Sequence, residues 1–246
     1  MNMNELNNKL RQLKLAGAIK TLETRNKYAL EHKISYLEFL ELIIEDEYAN
    51  RMANSYHKRF SKAKLNMQKT LDNYDFSYQP ELDKKLINDI ASCRFILEKK
   101  NVIFMGKPGV GKTHLANAIG LEAIKQGYKV IFIHVNDLIE RLYASKADGT
   151  FQHTLKSFLT VDLLILDELG FKKIPSTGLD DFFEIIRRRY ENASIVITTN
   201  RSFEDWAQVF GDIVLASAII DRLVHYAYIV KITGESFRIK NYKQKN

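Results

Sequence analysis

The sequence predicts an α/β domain, a parallel sheet with helices on both faces, preceded by a small all-α N-terminal domain. Three observations predict it. Five apolar runs, Val102 to Met105, Val130 to Val135, Leu163 to Leu166, Ile195 to Thr198 and Tyr228 to Ile232, alternate with helix-length segments. That is the pattern of parallel strands buried on both faces. A glycine-rich stretch, residues 106 to 114, stands between the first run and the apolar-patterned Leu115 to Leu121. Ahead of all this, the period is helical.

Leu6, Leu10 and Leu13 recur at helical spacing, and so do Leu37, Leu40, Ile44 and Tyr48. The second set follows Ser35-Tyr-Leu-Glu38, a capping box with Ser35 as N-cap and Glu38 at N3. This helix is expected to run on to about Ala63, with Arg51, Ser55, Lys58 and Lys62 along one face. Leu71 to Pro80 then breaks the period and holds one of only three prolines, which marks a boundary. The expected division is a helical domain over 1–70, a linker over 71–80 and the α/β domain over 81–246. Lys240 to Asn246 reads as a short basic solvated tail.

The net charge is +7, and most of the excess lies early. Residues 1–70 carry 13 lysines and arginines against 8 acidic residues, and Arg51 to Lys69 has six bases and no acid. A one-signed segment of this kind suits a polyanion. No apolar run approaches the ~18 residues needed to cross a bilayer, and the start lacks the apolar core of a signal peptide. A cytoplasmic location without a membrane partner is therefore expected. Cys93 is the only cysteine, which excludes a disulfide framework and a thiolate zinc site.

The chemistry begins at Gly106, Lys107, Pro108, Gly109, Val110, Gly111, Lys112, Thr113 and His114. Glycines at this spacing bring bare backbone N–H groups against phosphate oxygens, and the following helix points its positive end at the same anion. Lys112 would reach the β- and γ-phosphates and Thr113 would ligate Mg²⁺. Leu163-Leu-Ile-Leu-Asp-Glu168 supplies the second half: Asp167 to hold the metal, Glu168 to deprotonate a water for attack on the γ-phosphate. Asn200, at the end of Ile195 to Asn200, comes where the strand beside the Asp167 strand should end and could position that water. Arg222 is a candidate for transition-state charge in a neighbouring subunit, with Asp221 as its ordinary local partner. Arg187-Arg-Arg189 is the alternative. A small-molecule kinase shares the phosphate loop, but Glu168 and Asn200 count against it.

Taken in order, several stretches carry a resemblance: Leu13 to Gly17, Phe39 to Leu42, Asp72 to Phe76, Gly106 to His114, Ala147 to Gly149, Leu163 to Gly170, Arg189 to Glu191, Thr198 to Asn200, Glu204 to Trp206, Asp221 to Leu223 and Gly234 to Arg238. The chain resembles the IstB-like transposition helper ATPases, the AAA+ partners of insertion-sequence transposases. More distantly, it is similar to the DnaC-type helicase loaders. The resemblance implies a P-loop AAA+ fold that uses ATP and Mg²⁺. It also implies a homo-oligomer formed through AAA+ interfaces, which assembles on duplex target DNA and recruits or stimulates a transposase. A replicative helicase loader is the alternative, and an ATP site that serves assembly alone is a further one. Only 24 residues follow Arg222, so no C-terminal lid domain is expected and Arg238 is the candidate to replace a lid arginine. Lys58, Lys62, Lys172 and Lys173 are the DNA-binding candidates; the last two lie on a loop where an assembled ATPase can reach a central duplex.

Overall fold

Helix α1 (Met3–Gln12), helix α2 (Ala16–His32) and most of helix α3 (Tyr36–Ala63) form the first of two units, Met1–Lys58 and Arg59–Asn246, in this computed structural model. Residues 2–237 are described, so Arg238 and the basic tail lie outside them. The capping box forms as the sequence predicts: Glu38 N–H donates to Ser35 Oγ at 3.2 Å and Ser35 N–H to the Glu38 carboxylate at 2.7 Å. The sequence reading has two helices here, and the structure has three. Helix α2 carries no side-chain cap of its own. Its first N–H groups, those of Gly17 and Ala18, donate instead to the Glu47 carboxylate on α3, at 2.6 and 3.2 Å. A cap supplied from thirty residues away leaves no local signature.

The core of this unit is Ala18, Leu22 and Ile43, packed by Leu6, Leu10, Leu15 and Phe39. Arg25 grips Asp46 through two bonds of 2.8 Å, which holds the Asp46 carboxyl down at about 2. Leu37, Leu40, Ile44 and Tyr48, the residues whose spacing announces α3, are exposed on its outer face.

The second unit continues with α4 (Lys84–Ala91), α5 (Arg94–Leu97), β1 (Asn101–Gly106), α6 (Lys112–Lys125), β2 (Val130–His134), α7 (Val135–Ala147), α8 (Phe151–Leu159), β3 (Leu163–Leu169), α9 (Ser176–Arg189), β4 (Ser194–Thr199), α10 (Phe203–Phe210), α11 (Ile213–Val224) and β5 (Ala227–Ile232). The five strands fall on the five predicted runs and form one parallel sheet in the order β2-β3-β4-β1-β5. Alternate residues of β3 serve opposite faces. Leu164 and Leu166 join the core made with α7, α9, α10 and α11, while Ile165 meets Gly120 of α6 on the other side. Among the described residues no helix is long and apolar enough to cross a membrane.

The expected linker over 71–80 is packed, and the division of the chain falls at Lys58/Arg59 instead. The Asn117 side chain on α6 accepts the Asn66 N–H at 2.8 Å and donates to the Asn66 and Lys69 carbonyls. Leu65 is buried beside Gly120. Further on, the Tyr74 hydroxyl donates to Val110 O at 3.3 Å and Gln79 Nε2 to Glu235 O at 3.1 Å. Polarity breaks the helical period here, yet α6, the glycine-rich loop and Glu235 take up these hydrogen bonds, so the segment is a strap across the second unit.

Candidate nucleotide site

Strand β1 delivers the chain into the loop from Gly106, and α6 carries it away from Lys112. Gly106 lies so close to β5 that a Cβ would stand 2.3 Å from Ile232 O. Gly111, the α6 N-cap, has φ +98, and a Cβ there would meet the Tyr74 ring at 2.6 Å. Only glycine fits either position. The Lys112 ammonium donates to the carbonyls of Gly106 and Lys107 at 2.8 and 2.9 Å, which stretches the side chain across the loop where phosphates would sit.

Thr113 Oγ1 lies 2.9 and 3.2 Å from the two oxygens of Asp167, which is fully buried at the end of β3. A hydroxyl and a carboxylate converging at a phosphate loop are the hard oxygen donors a Mg²⁺ ion takes, so these residues fit that metal. The next residue bends out of the sheet. Glu168 has φ +61, the β3–β4 register shifts between Leu166 and Leu169, and the Glu168 side chain is exposed. Its N–H, freed by the bulge, donates to Thr198 Oγ1 at 2.9 Å, and that hydroxyl donates to Asp167 Oδ1. One threonine on β4 therefore sets both acids. His134, opposite Asp167 on β2, brings Nδ1 to 3.4 Å from Asp167 Oδ2 and 3.7 Å from Glu168 Oε2.

A cavity of about 540 Å³ opens at this end of the sheet, lined by Pro108 to His114, Glu168, Thr198, Thr199 and Asn200. Asn200 follows β4, which does pair with β3 as the sequence reading requires. The rest of the wall is strap: Lys69, Asn73, Tyr74, Asp75, Tyr78 and Gln79, joined by Phe171 and Phe237. His114 Nε2 lies 2.7 Å from Thr70 O, and the rings of Tyr74 and His114 meet edge to face at 5.4 Å. Burial pushes the Tyr74 hydroxyl up to about 12. Sequence reasoning finds the loop and the acids but misses Thr198, His134 and the strap. For Thr198 the signal is present, a hydroxyl two residues ahead of Asn200 on an otherwise apolar strand.

Arg222 does not line this cavity. It donates to Ala218 O at 2.8 Å and lies over the Phe183 ring at 5.3 Å, so its described contacts are not with Asp221. Helix neighbours one apart point to different sides. Arg187 and Arg188 both pair with Glu184. Arg189 is removed as an alternative: it is buried and donates to the carbonyls of Phe158, Val161, Asp162 and Ser194, pinning α9 under the sheet. Lys172 and Lys173 are exposed on the loop after β3, and Lys58 and Lys62 are exposed on α3.

The family model described as IstB-like ATP binding protein matches residues 8–245. The ATP-binding protein of insertion sequence IS5376 from Geobacillus stearothermophilus is 41% identical over 87% of this chain and 85% of its own length. That of IS21 from Pseudomonas aeruginosa is 38% identical over 97% and 90%. Among solved structures, the DnaC helicase loader is similar with a TM-score of 0.58 at 28% identity, covering 68% of this chain and 97% of its own. AMPPCP-bound DnaA from Aquifex aeolicus is similar with a TM-score of 0.60 at 26% identity; 74% of this chain is covered but only 56% of that one, so the chain spans about half of the initiator. A P-loop AAA+ sheet, a glycine-rich loop facing a buried aspartate, and a family match along nearly the whole length agree, and the chain belongs to the IstB-like ATP-binding proteins of insertion sequences.

Proposed function

We propose that this protein hydrolyses ATP, assembles as a homo-oligomer on duplex target DNA, and there recruits or stimulates the transposase of its insertion sequence. The observation that carries the hydrolytic part is the Thr198 bridge, which presents Glu168 to the cavity while Asp167 stays buried behind Thr113. The loop N–H groups and Lys112 bind the triphosphate, Asn200 orients a water, and Glu168 accepts its proton as it attacks. Thr113 and Asp167 would hold Mg²⁺, which neutralises phosphate charge when bound. The insertion-sequence setting of the relatives supports the transposase, and the one-signed run from Arg51 to Lys69, with the exposed Lys172 and Lys173, supports DNA held through its phosphates. A cytoplasmic location belongs to the same reading.

Lys112→Ala should abolish ATP binding, whereas Glu168→Gln should bind ATP and lose turnover by about 10²-fold or more, since only the chemical step needs the carboxylate. Wild-type turnover in Glu168→Gln would sink the assignment. The similarity to the DnaC helicase loader favours a second reading, delivery of a replicative helicase. Strand transfer assayed with the element's transposase separates them: stimulation supports the first, and stimulation of helicase loading alone supports the second.

A further inference from the structure

Arg187, Arg188 and Arg189 on α9 are all committed within the chain: the first two pair with Glu184, and the third donates to carbonyls under the sheet. Arg222, in the last turn of α11, differs. Among the described residues it pairs with no carboxylate. Its guanidinium donates from Nη1 to Ala218 O at 2.8 Å and lies 5.3 Å from the centre of the Phe183 ring.

Core packing brings the two side chains together. Ile219 and Leu223 bury one side of α11, and Phe182 and Ile186 bury one side of α9, in the same core. Phe183 and Arg222 each neighbour one of these buried residues and stand half-buried at the rim, with Phe183 packed against the core. A ring fixed by packing is a rigid platform. An arginine on its long stem is not, and solvent would leave it many rotamers.

What holds an arginine decides what it can do. A carboxylate fixes the guanidinium and cancels its charge, as Glu184 does for Arg187 and Arg188. An aromatic ring attracts the cation through its quadrupole and leaves the charge in place. The bond to Ala218 O occupies one N–H donor, so the rest of the guanidinium fork is left for phosphate oxygens.

We infer that Phe183 is the positioning residue for Arg222: its ring holds the guanidinium at the rim of α9 and α11, still cationic, so that the arginine meets the γ-phosphate bound by the neighbouring subunit already placed. This rests on the reading of Arg222 as an arginine supplied in trans. Phe183 touches no phosphate and does not line the cavity of its own chain, so it acts through Arg222 on the chemical step and not on ATP binding.

The test compares Phe183→Leu with Phe183→Tyr in the full chain, on DNA and at saturating ATP. Leucine is apolar but has no ring, whereas tyrosine keeps the ring. Phe183→Leu should lower kcat by about 3- to 10-fold, the scale of one cation–π contact, and leave ATP affinity unchanged. Phe183→Tyr should stay within about 2-fold of the parent chain. In a chain that already carries Arg222→Ala, Phe183→Leu should change the remaining turnover by less than about 2-fold, because the ring has lost the group it places. Phe183→Met, also without a ring, repeats the comparison if Phe183→Leu melts below the assay temperature. Parental turnover in Phe183→Leu, equal losses in the leucine and tyrosine variants, or the same loss with and without Arg222 would each overturn the inference. Arg222→Ala measured alone separates the two levels. Parental turnover there overturns the arginine reading beneath, whereas an inactive Arg222→Ala beside an unaffected Phe183→Leu overturns the role of Phe183 alone.

Discussion

The Glu168 N–H meets the Thr198 hydroxyl at 2.9 Å, across the bulge that separates β3 from β4 at its carboxyl end. A carboxylate needed at a cavity must leave the strand that delivers it, and leaving frees a backbone N–H that has to be satisfied. Thr198 satisfies it and, with the same oxygen, holds Asp167. Thr198→Val keeps the shape and removes both bonds. Turnover should fall by about 10- to 100-fold with a smaller change in KM, because the chemical step depends on where Glu168 sits. Thr198→Ser should keep most of the activity. Equal losses in the two variants would place the effect in packing instead.

Arg222 is the proposed arginine in trans. It stands outside its own cavity, held by Ala218 O and Phe183. Arg222→Ala should bind ATP nearly normally and hydrolyse it at least 10³-fold more slowly, the scale of an arginine supplied between subunits. Mixing Arg222→Ala with Lys112→Ala on DNA should restore part of the activity at interfaces that combine an intact loop with an intact arginine. If the two proteins co-assemble and no activity returns, the arginine in trans is another, and Arg188 is the next to test.

DNA binding through phosphates predicts affinity that falls steeply with salt and varies little with sequence. Charge reversal of Lys172 and Lys173, and separately of Lys58 and Lys62, should shrink the slope of log K against log salt by about 0.9 for each lysine that touches a phosphate. A slope unchanged in both pairs would move the duplex to another surface.

Cys93 offers a pH test of the second unit. Burial, with a smaller push from Glu122, raises its thiol to about 12. An unfolded cysteine ionises near ~8.5, so the folded chain keeps its proton where the unfolded chain loses it. The contribution of this group is therefore complete below ~8.5 and is lost as pH rises toward 12. Thiol reagents at pH 9 should react with Cys93 only as fast as the unit opens, and denaturant should bring the reaction to the rate of a free thiol. Rapid reaction of the native protein would show that this core is not closed.

Much of this protein is set by local sequence. Strand positions follow from apolar runs at Val102, Leu163 and Ile195, since a parallel strand buried on both faces needs no partner to be recognised. The phosphate loop and the Asp167-Glu168 pair are legible because their chemistry demands fixed spacing along one short segment, and the Ser35–Glu38 box is read for the same reason. What tertiary structure decided involves groups far apart in the chain. Glu47 caps α2, Thr198 sets Glu168, Arg189 gathers four carbonyls, and the strap from Leu65 to Gln79 becomes a cavity wall instead of a linker. Periodicity finds α3 but is blind to which of its two apolar sets faces inward: Ile43 and Phe39 turn to the core because Asp46 and Glu47 beside them find their partners on α2, and Ile44 and Tyr48 are left outside. A helical period records that a face is apolar, while the choice of what covers it lies in contacts that only folding brings together.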